Sequence, residues 1–202
     1  MSQQLNDNII NRQKDLLESI CVLHQDFLKC GIYFGWCEKS LENLIRLTDS
    51  EMGFICELEH REDGTPYIRT HAISNVAWDD ETEMFYNEHY KKGLEFDNFD
   101  SIWGAVFSSG EAVISNNPDE DPRRGGYPKE SGHPHLKTFL GLPIKGSDGS
   151  LVGVMGVANS SEGYSVELID FLMPFLFSYG LLIEKNRADA KLSSMSDSLR
   201  KT

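Results

Sequence analysis

The sequence predicts an α+β fold in which helices flank an antiparallel sheet. Three observations carry that expectation. Both ends of the chain repeat apolar residues at helical spacing over long stretches. Between them lie short segments of strand character, two of which precede turns at Asp63-Gly64 and Asp148-Gly149. The last such segment, Leu151 to Ala158, is apolar on both faces, as a central strand covered on both sides should be.

Taken in order, residues 3 to about 29 read as a helix, with Leu5, Ile9, Leu16, Ile20, Leu23 and Phe27 on one stripe. The stripe is narrow, like a coiled-coil seam, and favours pairing with a partner over docking on its own domain. Gly31 closes it. A second helix is expected after Ser40 as N-cap, with Leu41, Leu44, Ile45 and Thr48 on one face and Asp49-Ser50 at its end. From Met52 to Glu59 the residues alternate, Met52, Phe54, Cys56 and Leu58 one way, Glu57 and Glu59 the other. That is a half-buried strand. Residues 67 to 74 return as its hairpin partner, with Ile68, Thr70 and Ala72 on one face.

Residues 78 to 110 read mostly as short helices: one over Glu81 to Tyr90, broken by Gly93, and one over Phe99 to Ser109, ended by Gly110. Ala112 to Ser115 is a short strand. Thr138 to Lys145 is another, in which Pro143 requires a free edge or a bulge. In Leu151 to Ala158, Gly153 and Gly156 admit a close neighbour. Ser165 caps a final helix that Pro174 should kink. Past Glu184 its apolar residues, Leu181, Ala188, Leu192, Met195 and Leu199, fall on a spacing of three and four, so the helix leaves the core as a coiled-coil candidate.

Length and charge bound the function. The chain has 202 residues, with 32 acidic against 19 basic side chains and a formal charge of −13. A phosphate-binding nucleic-acid protein needs a basic footprint, and an anionic membrane surface would repel this one. A cytoplasmic location follows from the acidic balance and the polar N-terminus, which lacks a secretory signal. The apolar run from Leu168 to Ile183 is interrupted by Asp170, Pro174, Ser178 and Gly180, and reads as a core helix rather than a membrane span. The four cysteines, Cys21, Cys30, Cys37 and Cys56, form no C-x-x-C pair and read as reduced, mostly buried thiols. With His24 they match no defensible metal or haem pattern.

Several segments together resemble a GAF domain, the sensing module of many signalling proteins. L-T-D-S-E-M-G-F-I at 47–55 is similar to the family's helix-to-first-strand junction. W-G-A-V-F-S-S-G-E-A-V-I-S-N-N-P at 103–118 is similar to its helix, turn and strand. G-H-P-H-L-K-T-F-L-G-L-P-I at 132–144, V-G-V-M-G-V-A-N at 152–159 and G-Y-S at 163–165 complete the resemblance. It implies a central antiparallel sheet of five or six strands. The terminal helices would bundle on one face, and a ligand pocket would lie on the other, under short helices and a long loop. It divides the chain into an N-terminal helix (1–30), a GAF domain (31–186) and a C-terminal extension (187–202). Pairing of the terminal helices into a homodimer, an unidentified small-molecule ligand and a downstream signalling domain or protein are the partners it implies. L-S-S-M-S-D-S-L-R-K-T at 192–202 also resembles the start of a histidine-kinase dimerisation helix, with Asp197 in place of the phospho-accepting histidine.

The loop between the strands ending at Ser115 and starting near Thr138 holds polar residues among rigid Pro and Gly positions, which suits a pocket lid. Arg123 and Arg124 can clamp a carboxylate or phosphate, or pair with Asp119, Glu120 and Asp121 beside them. His133 and His135 lack a third metal ligand nearby, and Ser131 with His133 lacks an orienting group. A role in holding loop backbone suits the His133 ring better. Trp78, Phe96 and Trp103 suit an apolar lining or an ordinary core. The candidate ligand contacts are thus Trp78, Phe96, Trp103, Asn116, Asp121, Arg123, Arg124, Tyr127, His133 and Met155, with no catalytic residue, metal or cofactor assigned. The cyclic-nucleotide signature, the chromophore-bearing cysteine and the second-half cysteines of GAF-fold methionine sulfoxide reductases are missing from the sequence. The sequence therefore points to a sensory or regulatory module. The alternatives are a small enzyme with its site in the 116–138 loop and a structural dimerisation module with an empty pocket.

Overall fold

The computed structural model describes residues 2–30, 35–74, 93–97, 99–125 and 135–200. Helix α1 spans Ser2–Cys30 and α2 spans Gly35–Leu47. The hairpin β1 (Met52–His60) and β2 (Pro66–Ile73) follows, then a two-residue strand β3 (Glu95–Phe96) and helix α3 (Ile102–Ser109). Strands β4 (Val113–Ser115), β5 (Phe139–Lys145) and β6 (Leu151–Ala158) lead into the long helix α4 (Val166–Arg200). The six strands form one antiparallel sheet in the order β3-β2-β1-β6-β5-β4. Strand β6 lies in its middle and is buried on both faces, as its composition demands. Strand β4 pairs only with residues 139–141 of β5, so Pro143 lies beyond the paired edge.

The sheet divides the core into two layers. Under the terminal helices, Ile55, Leu140, Leu142, Ile144, Met155 and Val157 meet Leu16, Leu23 and Phe27 of α1, Trp36 and Leu44 of α2, and Leu172, Phe175 and Tyr179 of α4. Trp36 sits between the rings of Phe27 and Tyr179, at 5.4 and 4.8 Å between centroids. On the opposite face, Met52, Cys56, Ile68, Val113, Phe139 and Val154 meet Ile102, Trp103 and Val106 of α3.

The structure departs from the sequence reading at several points. Of the expected α1 stripe, Leu16, Ile20, Leu23 and Phe27 pack on the chain's own core, while Ile9 stays exposed. A second stripe on α1, with Ile10, Leu17 and Leu28, is exposed instead. Helix α2 starts at Gly35, so Ser40 lies inside it and donates to the Trp36 carbonyl at 2.8 Å. A bulge opposite Ile55/Cys56 makes His71 an extra residue in β2, which puts Ala72 on the opposite face from Thr70. Glu57 does point away from Met52, Phe54 and Cys56, but into a covered face: it is buried under α4. By length and composition α4 is long and apolar enough to cross a membrane, yet Leu172, Phe175, Leu176, Tyr179, Leu182 and Ile183 bury one side of it in the core. The helix expected over Glu81 to Tyr90 lies outside the described residues.

Candidate functional site

The face under α3 is built from aromatic rings laid on glycines. Gly141 and Gly156 occupy one row of the sheet with Phe54 and Val113. A Cβ at Gly156 would fall 2.4 Å from the Phe54 ring, and one at Gly141 would fall 3.0 Å from the Phe139 ring. The missing side chains let the rings lie flat against the strands. Above them α3 begins at the N-cap Ser101, whose Oγ accepts the Gly104 N–H at 3.0 Å, and ends at Gly110 in the left-handed region (φ 66°). With both ends fixed, Trp103 is held in the first turn. Its ring meets Phe96 at 6.0 Å and Phe99 at 6.1 Å, and Phe99 stacks on Phe107 at 4.7 Å. Trp103 is 9% exposed, and its Nε1–H has no acceptor among the described residues. A buried donor without an acceptor is costly, and a ligand oxygen above it would satisfy it.

The loop after β4 frames this face. Asn116 holds the main chain of Tyr164 in both directions: its Nδ2 donates to the Tyr164 carbonyl at 2.9 Å, and its Oδ1 accepts the Tyr164 N–H at 2.8 Å. Arg123 donates to both oxygens of Asp121, at 2.9 and 2.7 Å, and to the Ile114 carbonyl at 3.2 Å. The Arg123 guanidinium holds the Asp121 carboxyl well below the usual carboxylate range. Arg124 donates to the Asp119 carbonyl at 3.0 Å, and His135 Nε2 lies 3.1 Å from the Asp119 carboxylate. The Asn159 side chain, on a residue at φ 64°, accepts from Lys137 N–H and donates to the His135 carbonyl and Glu51. At its far described end, Gly125 lies against the Asp100 carbonyl, beside the start of α3.

The structure thus brings Phe96 and Trp103 together and sets Asn116, Asp121, Arg123 and Arg124 in the frame of the neighbouring loop. Arg124 answers to its own loop, and Arg123 to its loop and to β4. Met155 goes elsewhere: it is fully buried on the other face of the sheet, under the terminal helices. Trp78, Tyr127 and His133 lie outside the described residues. Phe54 and Phe99 join the aromatic group without having been singled out; the signal was their spacing from Gly156 and Trp103 in the fold, which no local pattern displays.

Chemically, this is a packed apolar and aromatic layer with one buried donor that lacks an acceptor among the described residues. Among the described residues no group of three His, Cys, Asp or Glu side chains could hold a metal. Cys56 lies on this face, but burial pushes its thiol far up and keeps it protonated. Burial does the same to Cys37, which accepts a hydrogen bond from Tyr179 Oη at 2.9 Å on the helical side. Cys21 is exposed and Cys30 half-buried.

A further polar group ties the sheet to α4. The buried Glu57 carboxylate contacts His71 Nε2 at 2.9 Å and Arg187 Nε. Arg187 also donates to the Leu58 and Val152 carbonyls, at 2.6 and 3.3 Å. Sequence reasoning missed this cluster because Glu57 and Arg187 are 130 residues apart.

Comparison with solved structures places this architecture among GAF domains. The GAF domain of a phosphoenolpyruvate-protein phosphotransferase from Coxiella burnetii is similar with a TM-score of 0.67 at 15% identity, over 89% of this chain and 98% of that one. The A. aeolicus nlh2 GAF domain in an inactive state gives 0.60 at 16% identity, over 87% and 96%. The free methionine-R-sulfoxide reductase from Neisseria meningitidis, in complex with its substrate, gives 0.63 at 10% identity, over 88% and 91%. At these identities the likeness establishes fold alone. No curated protein sequence matches the chain. The family model described as GAF domain matches residues 37–184, a span that begins in α2 and ends within α4 and takes in the whole sheet, so the chain belongs to the GAF family.

Proposed function

We propose that this chain is a sensory or regulatory GAF module that binds a small molecule on the α3 face and passes the effect to a partner through its terminal helices. GAF domains are commonly such modules in signalling proteins. The observation that carries the reading is the dual position of α4. Its first half forms the floor of the sheet, and beyond Asn186 it has no buried residue. On that free half Leu192, Met195 and Leu199 stand exposed, and Met173, Phe177 and Leu181 extend the apolar line back along the domain. Such a seam pairs readily with a copy of itself. A ligand that prefers one arrangement of the paired helices over another would shift the balance between them, and a downstream domain or protein would read the shift.

The test is the mass of the intact chain in solution. The unmodified protein is expected to be a dimer by light scattering. Replacing Leu192 and Met195 together by lysine should yield a monomer that keeps its fold by circular dichroism, since neither side chain is buried within the chain, with a melting temperature no longer dependent on concentration. A double variant that stays dimeric overturns the helix-pairing reading.

A further inference from the structure

On the helical side of the sheet, away from the aromatic face, a cavity of about 500 Å3 opens between α1, the end of α2 and the start of α4. Its size is that of a small-molecule site. Leu168 and Phe171 of α4 give it an apolar wall, and its rim carries both signs of charge: Arg12 and Asp15 from α1, Arg46 and Asp49 from the end of α2, and Glu162 from the β6–α4 turn.

Arg46 is engaged, with Asp15 at 3.7 Å and Ser19 Oγ at 3.1 Å. Arg12, which is exposed, is engaged only by the Phe171 ring, 4.8 Å from the centroid, and makes no ion pair among the described residues. It shares the rim with Ser165 and Leu168 at the start of α4, whose first turn already carries the carboxylate of Glu167.

Asp49 is the complementary case. Helix α2 closes with the Ser50 N–H on the Ile45 carbonyl at 3.0 Å, which makes Asp49 the left-handed residue of the closing turn, at φ 50°. Glycine or asparagine is the usual choice there. The carboxylate there follows the negative end of α2, is exposed on the rim of the cavity and makes no ion pair among the described residues. The cavity therefore presents an exposed cation and an exposed anion, both outside the ion pairs of the described residues, beside an apolar wall.

We infer that this cavity binds a small zwitterion with an apolar body, the chemistry of an α-amino acid. The carboxylate would lie on Arg12, the ammonium on Asp49 and Glu162, and the side chain against Leu168 beside the Phe171 ring. A ligand so held joins α1 to α2 and α4. The site does not depend on the α3 face, and either can fail without the other.

The probes are L-leucine, N-acetyl-L-leucine and L-leucinamide, titrated into the full chain by calorimetry. The zwitterion should bind, and each derivative, lacking one charge, should bind at least about tenfold more weakly. Arg12→Gln and Asp49→Asn should each abolish binding of leucine, while Trp103→Phe should leave it unchanged. Asparagine suits the left-handed turn and removes the adverse charge, so Asp49→Asn should melt no lower than the unmodified protein, which separates loss of binding from loss of fold. Failure of leucine to bind, equal binding of the three probes, or undiminished binding by either charge variant overturns the inference.

Discussion

At the scale of single residues, Asp121 and Arg123 decide how the loop beside the site behaves. Asp121 has its carboxyl shifted down chiefly by the hydrogen bonds from Arg123. A depressed folded value means the contribution to stability is complete above the unfolded value of about 3.9 and is lost as pH falls through the folded one. Acid should therefore loosen residues 116–125 below about pH 4, and in Asp121→Asn this segment should exchange amide hydrogens quickly even at pH 7. Hydrogen exchange followed by mass spectrometry checks both. Equal protection in variant and parent at pH 7 would show that the pair does not hold the loop. The sequence displayed this pairing only as an alternative. Arg123 lies two residues from Asp121, close enough to bind it and close enough to be displaced by a ligand, and local spacing does not choose. What settles the geometry is the third contact, to the Ile114 carbonyl in β4, which exists only once the strand is in place.

At the scale of elements, what was legible followed from periodicity and turn chemistry. The hairpin β1–β2, the central strand β6 and the capped helix α3 lie close to where alternation, Asp-Gly and the Phe99–Gly110 pattern put them. What was illegible depended on the partner across the sheet. Strand β3 is two residues long and exists because Phe96 and Glu95 find Ile68 and Arg69 opposite them. The bulge at His71 is likewise a property of two strands together. It has a use: the extra residue gives Glu57 a buried neighbour, and the carboxylate then takes both His71 and Arg187 where α4 leaves the sheet. Removing a buried partner costs more than the pair contributes, but Arg187 is 42% exposed and water screens it. Glu57→Gln should thus destabilise the protein by about 2 kcal/mol, seen as a fall in Tm of roughly 4 to 8 °C. A melting point unchanged within 1 °C (about the error of such a scan) would show that the cluster adds nothing to stability.

At the scale of the molecule, the two terminal helices are not equivalent. Both looked like free seams in the sequence, because a narrow apolar stripe serves a partner helix or a sheet equally well. Helix α1 contributes Leu16, Leu23 and Phe27 to the main core, whereas after Asn186 α4 buries no residue and reaches back to the sheet through Arg187. Ending the chain after residue 190, which keeps Arg187 on Glu57, should leave the fold intact, and starting it at residue 31 should not. Far-ultraviolet circular dichroism melts of the two truncated chains test this; a cooperative, unshifted melt without α1 would contradict the packing. The sheet, meanwhile, ends in strands of two and three residues, β3 and β4. Few backbone donors and acceptors are therefore left in a row for another chain to match. Among the described residues, then, the two outermost strands offer a neighbouring copy little to zip onto.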